Sequence, residues 1–183
     1  MFNRIFSFLI LILILIPCII VFVLIKIDSK GPVIHWSKRI GKNNSIFLMP
    51  KFRTMKINTP QLATHLLDNP NNYVTAIGRY LRKYSIDELP QFWSVLSGNM
   101  SIVGPRPALY NQEDLVSLRN KNNISSLKPG VTGWAQVNGR DLNTIDQKVE
   151  FEMYYLKNKS FFFDIYIIIK TLKKIFFTSE TLH

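Results

Sequence analysis

In 183 residues the chain sets 23 Lys and Arg against 12 Asp and Glu, a formal charge of +11, although 47% of its residues are hydrophobic. One cysteine excludes a disulfide framework and a thiolate metal centre, and three scattered histidines offer no zinc site. The basic excess calls for an anionic partner, but aromatic residues are not interleaved with Lys and Arg in an RNA-binding pattern, so no nucleic acid is expected.

From Phe8 through Ile25 the chain runs 18 residues without a charge, bracketed by Arg4 and Lys26, which is long enough for a membrane segment. It exceeds the apolar core of a secretory signal, and Lys26-Ile27-Asp28-Ser29-Lys30 provides no small-residue exit, so a retained segment is expected. Pro17 divides the run into nine residues and eight and predicts a kink there, because proline removes a donor and clashes with the preceding turn. Each arm is about 13 Å long against a hydrocarbon core of about 30 Å, so the residues allow either a bent span or a re-entrant path. Nearly all Lys and Arg follow the segment, which places the remainder on the cytoplasmic side. The expected division is residues 1–29 as membrane helix and 30–183 as one cytoplasmic catalytic domain.

Gly31 to Trp36 reads as a turn and strand, with Ile46 to Met49 as its partner across Gly41-Lys42-Asn43-Asn44, giving a small β-hairpin. Pro60 to Asn72 reads as loop and short helix, and Thr75 to Arg82 as a basic helix. Ser85 and Glu88 match a capping box and predict a helix from Ser85 to Leu96, with Asp87 and Glu88 in its first turn. Acidic residues there complement the helix dipole, but the same geometry sets free backbone N–H groups beside two carboxylates, a place for a phosphate and its Mg²⁺. Val103-Gly104-Pro105-Arg106-Pro107 is a rigid basic turn. Phe161 to Phe177 is strongly apolar with lysines near its end, either a core helix or an amphipathic one lying in a bilayer interface. The fold class is α+β, with a Pro-kinked N-terminal helix, a small hairpin and several helices.

Six segments in order carry a resemblance: Lys38 to Gly41, Lys51 to Met55, Ile77 to Lys83, Asp87 to Gln91, Ser101 to Pro107, and Pro129-Gly130-Val131-Thr132-Gly133-Trp134-Ala135-Gln136-Val137-Asn138-Gly139-Arg140. Together they are similar to the bacterial sugar transferase family, the small monotopic phosphoglycosyl transferases. The resemblance implies transfer of a sugar 1-phosphate from a UDP-sugar to polyprenyl (undecaprenyl) phosphate with release of UMP, at the cytoplasmic face of a bacterial inner membrane among its lipids.

It implies that Asp87 is the nucleophile, that Glu88 binds Mg²⁺ with it or activates the lipid phosphate, and that Lys51, Arg53 and Arg106 contact phosphates. A carboxylate is a weak nucleophile, so it requires a neutralised phosphorus centre, which Mg²⁺ and basic neighbours supply. Pro129, Gly130, Gln136 and Arg140 are expected in a loop closing over the nucleotide, where Trp134 either stacks on uracil or fills the core. Arg79, Arg82 and Lys83 read as lipid-phosphate contacts or as a solvated helix edge. One departure is Ile16-Pro17, where family members often carry Ser-Pro. The competing reading is a non-enzymatic, membrane-tethered basic module for anionic lipid or nucleic acid, against which the Asp87-Glu88 pair and the Arg106 turn weigh.

Overall fold

The computed structural model describes residues 2–59, 72–139 and 143–177. The loop and short helix expected over 60–72 fall almost wholly outside these residues, as does Arg140. Helices and a little sheet build the chain, in agreement with the α+β expectation.

The apolar run forms two helices, α1 (Phe2–Leu13) and α2 (Leu15–Asp28), bent by 58°. The break lies at Ile14, three residues ahead of the position expected from Pro17. Among the described residues no single helix is long and apolar enough to cross a membrane, but the bent pair passes by length and composition. Its outer surface is apolar: Phe8, Leu9, Ile12, Leu13, Ile16 and Ile19 are all more than half exposed. Both ends of the pair rest on the same body. Ser7, fully buried, donates its hydroxyl to the Phe92 carbonyl at 2.6 Å, and the Asp28 carboxylate accepts from the Ile77 N–H at 3.2 Å.

The hairpin is longer than expected, with β1 (Ile34–Ile40) and β2 (Ile46–Phe52) paired antiparallel from Ile34↔Phe52 to Ile40↔Ile46. Its turn is possible because Asn43 and Asn44 adopt left-handed conformations that asparagine tolerates. Strand alternation then gives the hairpin two chemistries. Phe47 and Met49 face a core with Val95, Met100 and Ile102, and Lys51 follows on that face. Pro50, Phe52, Ile34 and Trp36 line an apolar groove on the other.

Helix α3 (Ala76–Lys83) opens on Thr75, whose hydroxyl accepts from the Gly78 N–H. It packs so closely on Thr54 that a Cβ at Gly78 would stand 2.2 Å from the Thr54 carbonyl oxygen. The single helix expected from Ser85 to Leu96 is instead a 3₁₀ turn, Ile86–Glu88, followed by α4 (Gln91–Leu96). The predicted capping box is absent. Ser85 has φ 55°, a left-handed residue that turns the chain at the end of α3, whereas an N-cap needs an extended backbone.

A parallel pair, β3 (Ser101–Val103) and β4 (Gly130–Thr132), leads into the Arg106 turn. Gly130 and Gly133 are required there, since a Cβ on either would lie 2.1 Å from a backbone atom of Gly104. Helix α5 (Glu113–Lys121) packs on α7 (Ile145–Asn158) around Ala108, Leu115, Ile124 and Val149. Helix α6 (Trp134–Val137) meets α8 (Phe161–Phe177), which packs one side into the core, with Ile167 fully buried, while Phe162, Ile169 and Leu172 face outward.

Candidate active site

The site forms where the 3₁₀ turn carrying Asp87 and Glu88 meets β2 and the Gly-Pro-Arg-Pro turn. Glu88 Oε1 accepts from Lys51 Nζ at 2.7 Å and from Arg106 Nη2 at 2.9 Å. Three segments distant in sequence thus converge on one oxygen. Asp87 is buried, yet among the described residues nothing hydrogen-bonds its carboxylate.

The two adjacent carboxyls are driven apart. Burial pushes Asp87 above its usual range, which Lys51 opposes, Glu88 reinforces, and Arg82 and Arg106 oppose again. Burial acts on Glu88 in the same sense but is overcome by the charges and hydrogen bonds of Arg106 and Lys51, which hold it well below the usual carboxylate range. Burial lowers Lys51 as well, with Glu88 offsetting part of the effect. Arg39 is lowered to about 10 by burial and by Arg106, with Glu88 opposing. Such divergence between neighbouring groups marks sites where one acts as a fixed anion and the other remains available to react.

Of the expected site residues, Asp87, Glu88, Lys51 and Arg106 come together. Arg53 does not join them in its hydrogen bonding. Its guanidinium donates to the Lys30 carbonyl at 2.5 Å and to the Ser29 carbonyl and hydroxyl at 2.8 and 2.9 Å, closing the C-terminal end of α2. Pro129 and Gly130 are buried behind the Arg106 turn, where Gly130 N–H donates to the Pro105 carbonyl at 2.8 Å. Gln136 Nε2 donates to the Val131 carbonyl at 3.0 Å, and its buried Oε1 lacks a partner. The segment expected as a nucleotide-covering loop is therefore strand and helix through Val137. Trp134 belongs to an aromatic cluster, 5.0 Å from Phe163 and 5.8 Å from Tyr154, with Lys170 Nζ 4.8 Å from its ring centroid. It is half-buried there against the core.

Four residues in or around the site were not among the expected site residues. Arg82, expected as a lipid-phosphate contact or a helix edge, donates to Thr54 Oγ1 at 2.9 Å and adds its charge to the field at Asp87. Arg39 and Arg119 donate to carbonyls of the Arg106 turn. Gln91, which ends the Asp87 to Gln91 segment of the resemblance, is 2% exposed, and its Nε2 has no hydrogen-bond partner among the described residues.

An apolar groove of about 600 Å³ lies beside the carboxylate turn, between the bent helices, the hairpin and α4. Cys18, Phe22, Trp36, Phe52, Leu89 and Trp93 line it. Leu89 directly follows Glu88, and Phe52 directly follows Lys51, so the groove and the charged cluster share their backbone walls.

The chain matches the family model described as bacterial sugar transferase over residues 1–178. It is 39% identical over 160 residues to the UDP-N-acetylgalactosamine-undecaprenyl-phosphate N-acetylgalactosaminephosphotransferase of Aeromonas hydrophila, covering 84% of this chain and 37% of that relative. It is 39% identical over 158 residues to the UDP-glucose:undecaprenyl-phosphate glucose-1-phosphate transferase of Escherichia coli (strain K12), covering 82% and 34%. A third relative, the uncharacterized sugar transferase EpsL of Bacillus subtilis (strain 168), is 38% identical over 151 residues, covering 82% and 73%. The chain thus spans about a third of the length of the first two. A match to the family model over nearly the whole chain establishes that the chain belongs to the bacterial sugar transferase family.

Proposed function

We propose that the chain transfers a sugar 1-phosphate from a UDP-sugar to undecaprenyl phosphate, releasing UMP. The observation that carries this reading is the buried Asp87 carboxylate, to which no described residue hydrogen-bonds, beside a Glu88 already clasped by two cations. The activities named for the Aeromonas and Escherichia relatives support it.

In the first half-reaction an Asp87 oxygen bonds to the β-phosphorus, the bond from that phosphorus to the bridging oxygen breaks, and UMP leaves with the electron pair. In the second, a phosphate oxygen of the lipid attacks the same phosphorus and frees Asp87. The product is an undecaprenyl-diphosphate sugar. Asp87 suits the nucleophilic role because no donor among the described residues hydrogen-bonds its lone pairs, whereas Glu88 Oε1 already accepts from Lys51 and Arg106. Arg106 and Lys51 supply positive charge where diphosphate charge must be offset, and Arg106 does so with a planar fork suited to phosphate. Asp87 and Glu88 present the hard carboxylate oxygens that Mg²⁺ favours, and a cation held there would neutralise phosphate charge.

The bent α1–α2 pair supports a re-entrant path that enters and leaves the cytoplasmic face of the inner membrane. Both of its ends return to one body: Arg4 lies against Gly98 and Asp28 against the start of α3. We attribute the break at Ile14 to Pro17, whose missing N–H and ring act on the carbonyl four residues earlier. The apolar groove suits the prenyl chain of the acceptor, whose phosphate then meets the cations around Asp87. Residues 1–29 are accordingly the membrane element and the remainder the catalytic domain.

Purified chain, undecaprenyl phosphate, Mg²⁺ and a panel of UDP-sugars should release UMP. Without lipid, the peptide containing Asp87 should gain a phosphosugar adduct by mass spectrometry. An active Asp87→Asn protein refutes the mechanism, and no UMP from any donor refutes the reaction.

A further inference from the structure

Pro105 and Pro107 have no N–H, so the turn that presents Arg106 can be held by the backbone mainly through its carbonyls. Four consecutive carbonyls are taken. Pro105 accepts from the Gly130 N–H of β4 at 2.8 Å, Arg106 from Arg119 Nη2 of α5 at 2.9 Å, Pro107 from Arg39 Nη1 of β1 at 3.1 Å, and Ala108 from the Ile40 N–H at 3.0 Å. Arg119 is itself fixed: Nε and Nη2 form a fork on Glu152 of α7, and the two residues are 8% and 3% exposed. A buried pair of this kind adds little net stability, because desolvation offsets attraction. What it does here is orient a guanidinium whose remaining bond goes to the backbone of the phosphate-binding residue.

Resting on the reaction proposed above, we infer that Arg119, locked by Glu152, is a positioning residue that sets the place of the Arg106 guanidinium through the Arg106 carbonyl. Helices α5 and α7 thereby serve the reaction without lining the site. Arg39 restrains the next carbonyl, so the turn is tied to both β1 and α5.

The test is a double-mutant cycle on the full chain in detergent, with Arg119→Lys, Arg106→Ala and both together. Lysine keeps the charge facing Glu152, but a single ammonium cannot reproduce a fork that also reaches the Arg106 carbonyl. With whichever UDP-sugar turns over, Arg119→Lys should lose about tenfold in kcat/KM, the lower end of what outer-shell partners cost at metal sites. In the Arg106→Ala background it should cost nothing further, since the group it acts through is gone. An equal loss in both backgrounds overturns the inference and leaves Arg119 a scaffold residue. Arg119→Met provides a second variant should the lysine prove adequate.

A readout independent of turnover separates this inference from the reaction. In ¹⁵N-arginine spectra, the Arg106 guanidinium signal, assigned by its loss in Arg106→Ala, should shift and broaden in Arg119→Lys. An unmoved signal overturns the positioning role. A moved signal in a protein that releases no UMP faults the reaction and upholds the positioning.

Discussion

Replacing Glu88 with glutamine removes the anion between Lys51 Nζ at 2.7 Å and Arg106 Nη2 at 2.9 Å while keeping the side-chain volume. Stranding a buried partner costs about 3–5 kcal/mol, but the Arg106 side chain is 36% exposed and its share is screened. About 3 kcal/mol remains, mostly from Lys51, and at about 2–4 °C per kcal/mol the Tm should fall by about 6–12 °C. Asp87→Asn, one residue away, breaks no hydrogen bond among the described residues and removes a charge that burial penalises, so its Tm at neutral pH should equal or exceed that of the wild type. The pH dependences oppose each other. Glu88 is depressed in the folded state, so its stabilisation is present above the ordinary carboxylate range and is lost as pH falls through the folded value; the Glu88→Gln deficit should shrink on acidification. Asp87 is raised, so the cost of ionising it is absent at low pH and appears as pH rises through the folded value; any gain in Asp87→Asn should appear there. Thermal unfolding in detergent, followed from neutral pH down to about two units below the ordinary carboxylate values, reads both. Equal losses in the two variants, or a Glu88→Gln change of only about 2 °C, would refute the ion-pair reasoning and return both residues to first-turn acids worth about 0.3–1 kcal/mol.

Gly78→Ala should destabilise by about 1–3 kcal/mol, because the new Cβ would meet the Thr54 carbonyl and α3 must shift; denaturant unfolding measures it, and a neutral result refutes the close approach. Pro17→Leu should restore a continuous apolar helix able to cross the bilayer, exposing a Phe2→Cys thiol, in a Cys18→Ser background, to an impermeant reagent in spheroplasts; continued shielding refutes the role given to Pro17. Undecaprenyl phosphate should slow alkylation of Cys18 in the groove while phosphatidic acid at the same mole fraction does not, and equal protection by both would make the groove a general acyl-chain seat.

Elements governed by local chemistry were legible in the sequence. Alternation around Gly41 predicted the hairpin, and Thr75 marked the start of α3. Motif order led to Asp87, Glu88, Lys51 and Arg106, and the structure brings these four together. The misses share a cause. Ser85 fits a capping box by spacing, but the chain's turn after α3 claims its backbone first. Arg53 sits two residues from Lys51 yet serves the end of α2, because the carbonyls of Ser29 and Lys30 come within its reach only in the folded chain. Arg119 and Glu152 lie in ordinary helical sequence, 33 residues apart, and only the packing of α5 on α7 shows what they hold. Side-chain direction is a tertiary property, and a one-dimensional pattern does not carry it for long, flexible cations.

Strand β2 alternates between two solvents in steps of about 3.3 Å: Lys51 meets the charged cluster, while Pro50 and Phe52 meet the apolar groove. Such a strand tolerates no frameshift in its pairing. A slip of one residue relative to β1 would bring Phe52 to the carboxylates and drive the Lys51 ammonium into the groove, inverting every position at once. Single-residue insertions or deletions between Ile46 and Lys51 should therefore be purged from functional libraries far more strictly than substitutions there, whereas a length change in the Lys42–Asn44 turn leaves the strand alternation intact and is the place where such variation can survive.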